Sequence, residues 1–118
     1  MAKYVVCPVE EFPAGTHRVI QAGRAEIGVF NVNGTFYALP NVCTHQFGPL
    51  CEGAVNGTMM ASAESGWRYE WVREGEIITC PWHGLEFDVT TGRCLASAKV
   101  RLRQYVVTVE AGQVTVTV

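Results

Sequence analysis

The sequence predicts an all-β fold, and three observations lead to that prediction. Short runs rich in β-branched and aromatic residues recur at close intervals along the 118 residues. Gly, Pro and Asn separate these runs, and Asn33-Gly34 is a strong signal for a two-residue hairpin turn. No stretch shows the length and periodicity of a helix of three turns; the best one, residues 59–65, is short and meets Gly66. Strands spaced in this way favour stacked antiparallel sheets, in a sandwich or a barrel.

Each predicted strand has a local justification. Pro8 ends the first strand and Pro40 ends the fourth, while the last two strands are rich in Val and Thr. Residues 53–75 are the least regular part of the chain, although aromatic and charged residues alternate from residue 67 to 71 and are compatible with one further strand. In chain order, we expect strands at residues 5–6, 17–20, 25–32, 35–39, 76–79, 85–89, 105–109 and 114–118.

Composition excludes several classes of protein. Hydrophobic residues make up 48% of the chain and charged residues 17%, which argues against disorder. Nine Lys and Arg against 11 Asp and Glu give a net charge of −2, so no basic field is present to hold nucleic acid. No apolar run approaches the roughly 20 residues that span a bilayer, and Pro8 and Glu10 come too early for a signal peptide. We expect a cytoplasmic single domain without a membrane or nucleic acid partner.

Cysteine and histidine form two pairs that point to a metal. Cys43 and His45 are separated by one residue, and Cys80 and His83 by two. Each pair directly follows a predicted strand, in a segment with turn-forming residues, so two loops can turn two thiolates and two imidazoles toward one point. Zinc accepts such a set in closed structural sites, and a Rieske [2Fe–2S] cluster accepts two Cys on one iron and two His on the other. Because each loop supplies one ligand of each kind, the arrangement suits a diiron cluster.

Two sequence blocks resemble the Rieske ferredoxin family. The first runs from Cys43 to Leu50, and the second is the pattern Cys-Pro-x-His-Gly-x-x-Phe-Asp-x-x-Thr-Gly from Cys80 to Gly92. The resemblance implies a Rieske-like fold with two cluster-binding loops and one [2Fe–2S] cluster per chain. It also implies Cys43 and Cys80 on the buried iron, with His45 and His83 on the outer iron.

The chain departs from the family pattern in one respect. Thirty-four residues separate His45 from Cys80, about twice the gap that is usual in the family. We therefore expect residues 1–118 to form one Rieske domain with an insertion at about 53–75. This insertion should serve recognition or local cover without holding the metal.

The implied function is one-electron transfer by a ferredoxin, from a flavin-containing reductase to a terminal oxygenase. The chain should not itself be an enzyme, because a Rieske oxygenase needs a mononuclear iron with two further His ligands, and only His17 remains. Two alternatives stay open. One is the small Rieske-like subunit of an assimilatory nitrite reductase, and the other is a zinc-stabilised binding module.

Further expectations concern the remaining cysteines and two residues, Leu85 and Phe87, whose side chains lack a hydroxyl group. Cys7 and Cys94 should be small core residues. The resemblance implies that Cys51 is free, because Trp82 occupies the position where high-potential relatives carry its disulfide partner. It also implies a low reduction potential, because Leu85 and Phe87 stand where those relatives carry Ser and Tyr.

Three aromatic residues of the 53–75 region admit two interpretations. Trp67, Tyr69 and Trp71 could form a docking face, since aromatic residues concentrate at interfaces. We expect instead that they cover the core from an added hairpin.

Overall fold

Nine antiparallel strands and two short 3₁₀ helices are found among the residues described by the computed structural model. It describes residues 2–42, 49–61, 63–64, 66–81, 84–97 and 99–118. The 3₁₀ helices are Val9–Glu11 and Leu50–Glu52. None of the helices in these ranges has the length and hydropathy needed to cross a membrane. The strands are β1 Lys3–Pro8, β2 His17–Ala22, β3 Ala25–Val32, β4 Thr35–Pro40, β5 Ala54–Ala61, β6 Tyr69–Thr79, β7 Glu86–Asp88, β8 Val106–Glu110 and β9 Gln113–Thr117.

The described strands form three antiparallel sheets of three strands each. Their orders are β1-β9-β8, β2-β3-β4 and β5-β6-β7. The all-β prediction is confirmed, and every predicted strand is present within a few residues of its expected position. The β3–β4 hairpin turns at Asn33 and Gly34, whose φ angles of 52° and 92° are the positive values that a two-residue turn requires. The Gly34 N–H also donates to Oδ1 of Asn31 at 2.8 Å, which stabilises the turn.

Strand β3 is buried on both faces and separates two hydrophobic clusters. Ile27 and Val29 belong to the cluster that also contains Val114 and Val116 of β9. Phe30 belongs to the other cluster, together with Leu39, Leu50, Ile78, Cys80 and Phe87. This division follows from the two-residue period of a strand, which sends alternate side chains to opposite sides. The second cluster thus places Cys80 against a dry apolar core.

The region of residues 53–75 forms the β5–β6 hairpin. Strand β6 begins at Tyr69 and continues to Thr79, so the alternation around Trp71 and the strand predicted at 76–79 belong to one strand of 11 residues. Residues 59–61 lie in β5, where pairing with β6 prevails over their helix propensity. The register shifts between Asn56 and Thr58. Gly57 is required there, because a Cβ at this position would lie 2.3 Å from the Val72 carbonyl oxygen.

Candidate metal centre

Cys80 begins a tight loop directly after β6. Its side chain is 1% exposed, and its thiol is free. The Cys80 N–H donates to the Leu85 carbonyl oxygen at 2.9 Å, and the Gly84 N–H donates to the Cys80 carbonyl oxygen at the same distance. Gly84 has a φ of 71°, a conformation that favours glycine. These bonds close the loop at its base, so the backbone on either side of the predicted ligand His83 is held in place.

The other three predicted ligands lie outside the described residues. Cys43 and His45 fall in residues 43–48, and His83 falls in residues 82–83. What the structure describes of the first loop is its two ends. There the buried side chain of Asn41 accepts the Cys51 N–H at 2.7 Å through Oδ1 and donates to the Glu52 carboxylate at 3.3 Å through Nδ2. Asn41 therefore joins the end of β4 to the helix Leu50–Glu52 and closes the first loop at its base.

The bases of the two loops lie side by side. Ala54 pairs with Thr79, the residue before Cys80. A Cβ at Gly53 would lie 1.9 Å from the Thr79 carbonyl oxygen and 3.1 Å from Cδ of Pro81. Only glycine allows this approach. The structure thus brings together the described ends of the two predicted ligand loops, and it describes only Cys80 among the four predicted ligands.

The family pattern after the second loop has a structural role. Oδ1 of Asp88 accepts the Thr90 N–H at 2.9 Å and the Thr90 hydroxyl at 2.7 Å. The Gly92 N–H donates to the Asp88 carbonyl oxygen at 2.7 Å, and Gly92 has a φ of 80°. A Cβ on Gly92 would approach the Leu102 carbonyl oxygen to 2.5 Å. The Phe-Asp-x-x-Thr-Gly pattern therefore forms a turn that fixes the exit of the second loop.

Arg73 of β6 completes this turn. Its guanidinium donates to Oδ2 of Asp88 at 2.7 Å and to Oε1 of Glu76 at 2.9 Å. Burial disfavours the charged form of Asp88, but hydrogen bonds from Thr90 and Arg73 outweigh that effect and lower the pKa of the carboxyl below its usual range. Asp88 is thus an ionised carboxylate that links β6 to the second loop.

Cys51 is a buried free thiol, as expected. Burial raises the pKa of this thiol from 9.0 to about 12. A Cβ at Gly28 of β3 would lie 2.4 Å from the Cys51 sulfur, so this thiol packs where only glycine leaves room. Cys7 and Cys94 are also buried free thiols, which confirms their expected place in the core. His17 lies in β2, where its ring stacks on Phe30 with 5.2 Å between centroids.

The expectation that the aromatic residues of the hairpin cover the core is wrong. Trp67 is 71% exposed, Tyr69 75% and Trp71 53%, and the neighbouring Met59 and Met60 are also about half exposed. They lie on the part of the hairpin beyond the reach of β7, which pairs only with Ile77–Thr79. Between this hairpin and the second loop lies an open groove of about 390 Å³. Its lining residues are Thr58, Met59, Met60, Arg73, Gly84, Leu85, Glu86, Leu95 and Ala96.

Sequence reasoning missed three residues that shape the centre. In the sequence, Asn41 is one of several turn-forming residues, Gly53 marks the start of an irregular region, and Arg73 has no distinguishing local feature. Each acts through a partner that is distant in the chain, so no local pattern reveals its role. An Asn just before a ligand loop is the one signal that could have been noticed, because Asn side chains often bond to nearby backbone.

Comparison with known proteins identifies the family. A family model described as the Rieske [2Fe-2S] domain matches residues 2–106. The chain is 33% identical over 111 residues to ferredoxin CarAc of Metapseudomonas resinovorans, with 92% of this chain and 87% of that protein covered. It is 28% identical over 119 residues to the 3-phenylpropionate/cinnamic acid dioxygenase ferredoxin subunit of Photorhabdus laumondii, covering 100% and 96% of the two chains.

Solved structures agree with this relationship. A chain in the complex of reduced oxygenase and oxidized ferredoxin in carbazole 1,9a-dioxygenase aligns with a TM-score of 0.73 and 31% identity, over 97% of this chain and 91% of that one. The ferredoxin of Sphingomonas yanoikuyae aligns with a TM-score of 0.68 and 28% identity, over 98% and 97%. The two sequence blocks around Cys80 and Cys43 had indicated the same relationship. The chain belongs to the family of Rieske [2Fe–2S] ferredoxins.

Proposed function

We propose that this protein carries single electrons from a flavin-containing reductase to a terminal oxygenase, on one [2Fe–2S] cluster per chain. The observation that carries the proposal is the match with a ferredoxin and with a dioxygenase ferredoxin subunit, which extends over 87% and 96% of their lengths. In this role the protein is an electron carrier and not itself an enzyme. We also propose that residues 1–118 form one domain with an insertion at about 53–75. A cytoplasmic location suits the buried thiols of Cys7, Cys51 and Cys94, which form no disulfide within the described part of the chain.

We assign the cluster ligands to Cys43 and Cys80 on one iron and to His45 and His83 on the other. Two thiolates and two imidazoles are the donor set of a Rieske centre. Cys80 supports this assignment, because it is a free thiol packed on an apolar core at the base of a closed loop. When bound, the cluster supplies a one-electron couple at a higher potential than an all-Cys cluster. The chain's own task is to hold the two loops side by side, which Asn41, Gly53 and Gly84 do.

Loss of the cluster on ligand substitution tests the assignment. We expect Cys43→Ser and His83→Ala to lose most of their iron and inorganic sulfide, with His83→Ala less affected because solvent can fill a vacancy on the outer iron. Cys51→Ser and His17→Ala are the matched controls, and both should retain full iron and sulfide. Full occupancy in either ligand variant would contradict the assignment. One zinc per chain without sulfide would indicate the zinc-stabilised module instead.

Electron transfer tests the function. We expect a terminal oxygenase gene beside the gene of this protein. The holo protein, reduced with dithionite, should be reoxidised by that oxygenase, and the change in cluster absorbance gives the rate. The protein should purify as a free component. Isolation in a tight one-to-one complex with a large catalytic subunit would favour the nitrite reductase alternative.

A further inference from the structure

The outer half of the β5–β6 hairpin is a two-stranded ribbon, which we call the distal ribbon. It consists of residues 58–61 of β5 and 69–72 of β6, paired from Thr58↔Val72 to Ala61↔Tyr69. Strand β7 reaches only Ile77–Thr79, so no third described strand pairs with the ribbon. An isolated two-stranded ribbon is marginally stable in water. Its position must therefore be maintained by contacts at its base or by a partner.

One face of the distal ribbon is apolar and exposed. Met59 pairs with Trp71, and Ala61 pairs with Tyr69, so these four side chains share a face. Trp67 is also exposed and lies in the turn before β6, where its φ of 62° is rare for a tryptophan. The Trp71 indole N–H donates to the Glu74 carboxylate, which orients that ring. Exposed apolar patches of this extent mark interaction sites.

The opposite face of the distal ribbon borders the second ligand loop. Met60 and Thr58 share this face, and the Thr58 hydroxyl donates to Glu86 of β7 at 2.9 Å. The groove beside Met60 continues to Gly84 and Leu85, which directly follow the predicted ligand His83. Arg73, through its bonds to Asp88, holds the base of the ribbon to the exit of the same loop. The ribbon is thus attached next to the point where an electron must leave.

The area of the exposed surface fits a transient protein partner better than a second copy of the chain. At roughly 150–250 Å² for each fully exposed aromatic side chain, the exposures of 71%, 75% and 53% amount to about 300–500 Å² of aromatic surface. Transient redox contacts bury less than about 600 Å² on each partner, whereas a stable dimer needs about 800 Å² or more. The patch therefore fits a redox partner that binds transiently and leaves.

We infer that the distal ribbon is a docking arm for the electron-accepting oxygenase, which contacts its aromatic face and the groove beside the second loop. This inference rests on the proposed function and adds the surface that recognises the acceptor. The partner should present an apolar cleft that receives the aromatic face, with Met60 at its edge beside Glu70 on the other face of the ribbon. Aromatic side chains would then contribute most of the contact energy.

The experiment measures reoxidation of the reduced holo protein by the terminal oxygenase expected from the neighbouring gene. Reoxidation by cytochrome c, an acceptor that needs no specific docking, is measured in parallel. Tyr69→Thr with Trp71→Thr removes the rings and keeps strand propensity. Met60→Thr tests the other face. The matched control is Val5→Thr with Val106→Thr, which changes two valines on another sheet that are 64% and 63% exposed.

The variant Tyr69→Thr with Trp71→Thr is the ring-deleted variant. The concentration of reduced protein that gives half the maximal rate of oxygenase reduction should rise at least tenfold for this variant and about threefold for Met60→Thr. The cluster spectrum and the rate with cytochrome c should not change, and the valine control should stay within twofold of wild type. Half-saturation of both ribbon variants at the wild-type concentration would overturn the inference. So would sedimentation equilibrium that showed a wild-type dimer and a ring-deleted monomer. If wild type reduces cytochrome c but not the oxygenase, the proposed function itself fails.

Discussion

Leu85 and Phe87 place apolar side chains without hydroxyl groups directly after the second loop. Leu85 accepts the Cys80 N–H through its carbonyl oxygen, and Phe87 is fully buried in the same cluster as Cys80. High-potential Rieske proteins carry hydroxyl groups at these two positions. Donors aimed at cluster or ligand sulfur stabilise the reduced state and raise the potential. With no hydroxyl at either position, we expect a potential toward the roughly −150 mV end of the Rieske range.

The double variant Leu85→Ser with Phe87→Tyr should raise the reduction potential by tens of millivolts. A shift of about 59 mV corresponds to about 1.4 kcal/mol for one electron, which is the size of one or two hydrogen bonds to a charged group. Film voltammetry measures the shift, and thermal unfolding is the companion measurement. Because Phe87 is fully buried, a new hydroxyl without an acceptor would lower stability and leave the potential unchanged. A wild-type midpoint well above zero would contradict the argument.

Cys51 is predicted to be dispensable for the cluster. Cys51→Ser should retain full iron content and change the free energy of unfolding by no more than about 1 kcal/mol, since no disulfide is lost. A loss of several kcal/mol, typical of a broken native disulfide, would count against this.

The same thiol makes stability depend on pH in the alkaline range. Burial raises the pKa of the Cys51 thiol from 9.0 to about 12, so the unfolded chain ionises first. Its contribution to stability is therefore complete below pH 9 and declines as pH rises toward 12, by at most about 1.4 kcal/mol per pH unit. Urea unfolding from pH 8 to 10.5 should show a steeper decline for wild type than for Cys51→Ser. Parallel curves would show that the thiol ionises equally in both states.

Among secondary-structure elements, β6 and β7 are joined by the ion pair of Arg73 and Asp88. The Asp88 side chain is 9% exposed and that of Arg73 is 32% exposed, so this pair is better shielded from solvent than the Lys3–Glu110 pair at 59% and 45%. Surface pairs contribute little to stability, whereas a buried carboxylate that loses its donors is costly. Loss of the Arg73–Asp88 pair should therefore lower the free energy of unfolding, whereas loss of the Lys3–Glu110 pair should have little effect on it.

Arg73→Ala should lower the free energy of unfolding by roughly 1–3 kcal/mol at pH 7, because the Asp88 carboxylate loses a charged donor. Lys3→Ala is the matched control and should change it by less than about 0.5 kcal/mol. Because the pKa of Asp88 lies below its usual 3.8, its contribution is present above that pH and is lost as pH falls below it. Wild type should therefore lose stability below about pH 4 more steeply than Asp88→Asn, and identical acid profiles would contradict this.

Strand prediction was accurate where the pattern is local. The Val and Thr run of β9 and the Asn33-Gly34 turn contain their own structural signal, and both are found as predicted. Strand β5 was not predicted, because Met and Ala at its outer end favour helix as much as strand. Its conformation comes from pairing with β6, a partner about ten residues away.

At the scale of the whole molecule, the β5–β6 hairpin divides into two parts with different roles. The inner part, with Gly53 and Ala54 against Thr79, holds the described bases of the two loops side by side. The outer part, the distal ribbon, extends away from the core and exposes its aromatic face. We therefore restrict the expectation that residues 53–75 do not hold the metal to the distal ribbon.

Replacement of residues 60–70 by Asn-Gly should leave the cluster intact. Met59 and Trp71 already face each other across the hairpin, so a two-residue turn can join them without a change of register. Iron content and the visible spectrum should match wild type. Removal of the whole 53–75 segment is the contrasting variant, and it should yield little holo protein because the contact of Gly53 with Thr79 is lost. Loss of the cluster from the shorter deletion would show that the ribbon is structural.

Sequence alone predicts the fold class, most strands, the family and the four candidate ligands, Cys43, His45, Cys80 and His83. These predictions depend on residue type, on two-residue alternation and on short spacing, all of which are local properties of a chain. The folded structure shows in addition that the bases of the two loops adjoin at Gly53 and Thr79 and that Arg73 reaches Asp88. It also shows that the aromatic residues around Trp71 face solvent. These features arise from contacts between residues far apart in the chain. The hydrophobicity of a side chain does not by itself distinguish one that covers the core from one that is exposed at an interaction surface.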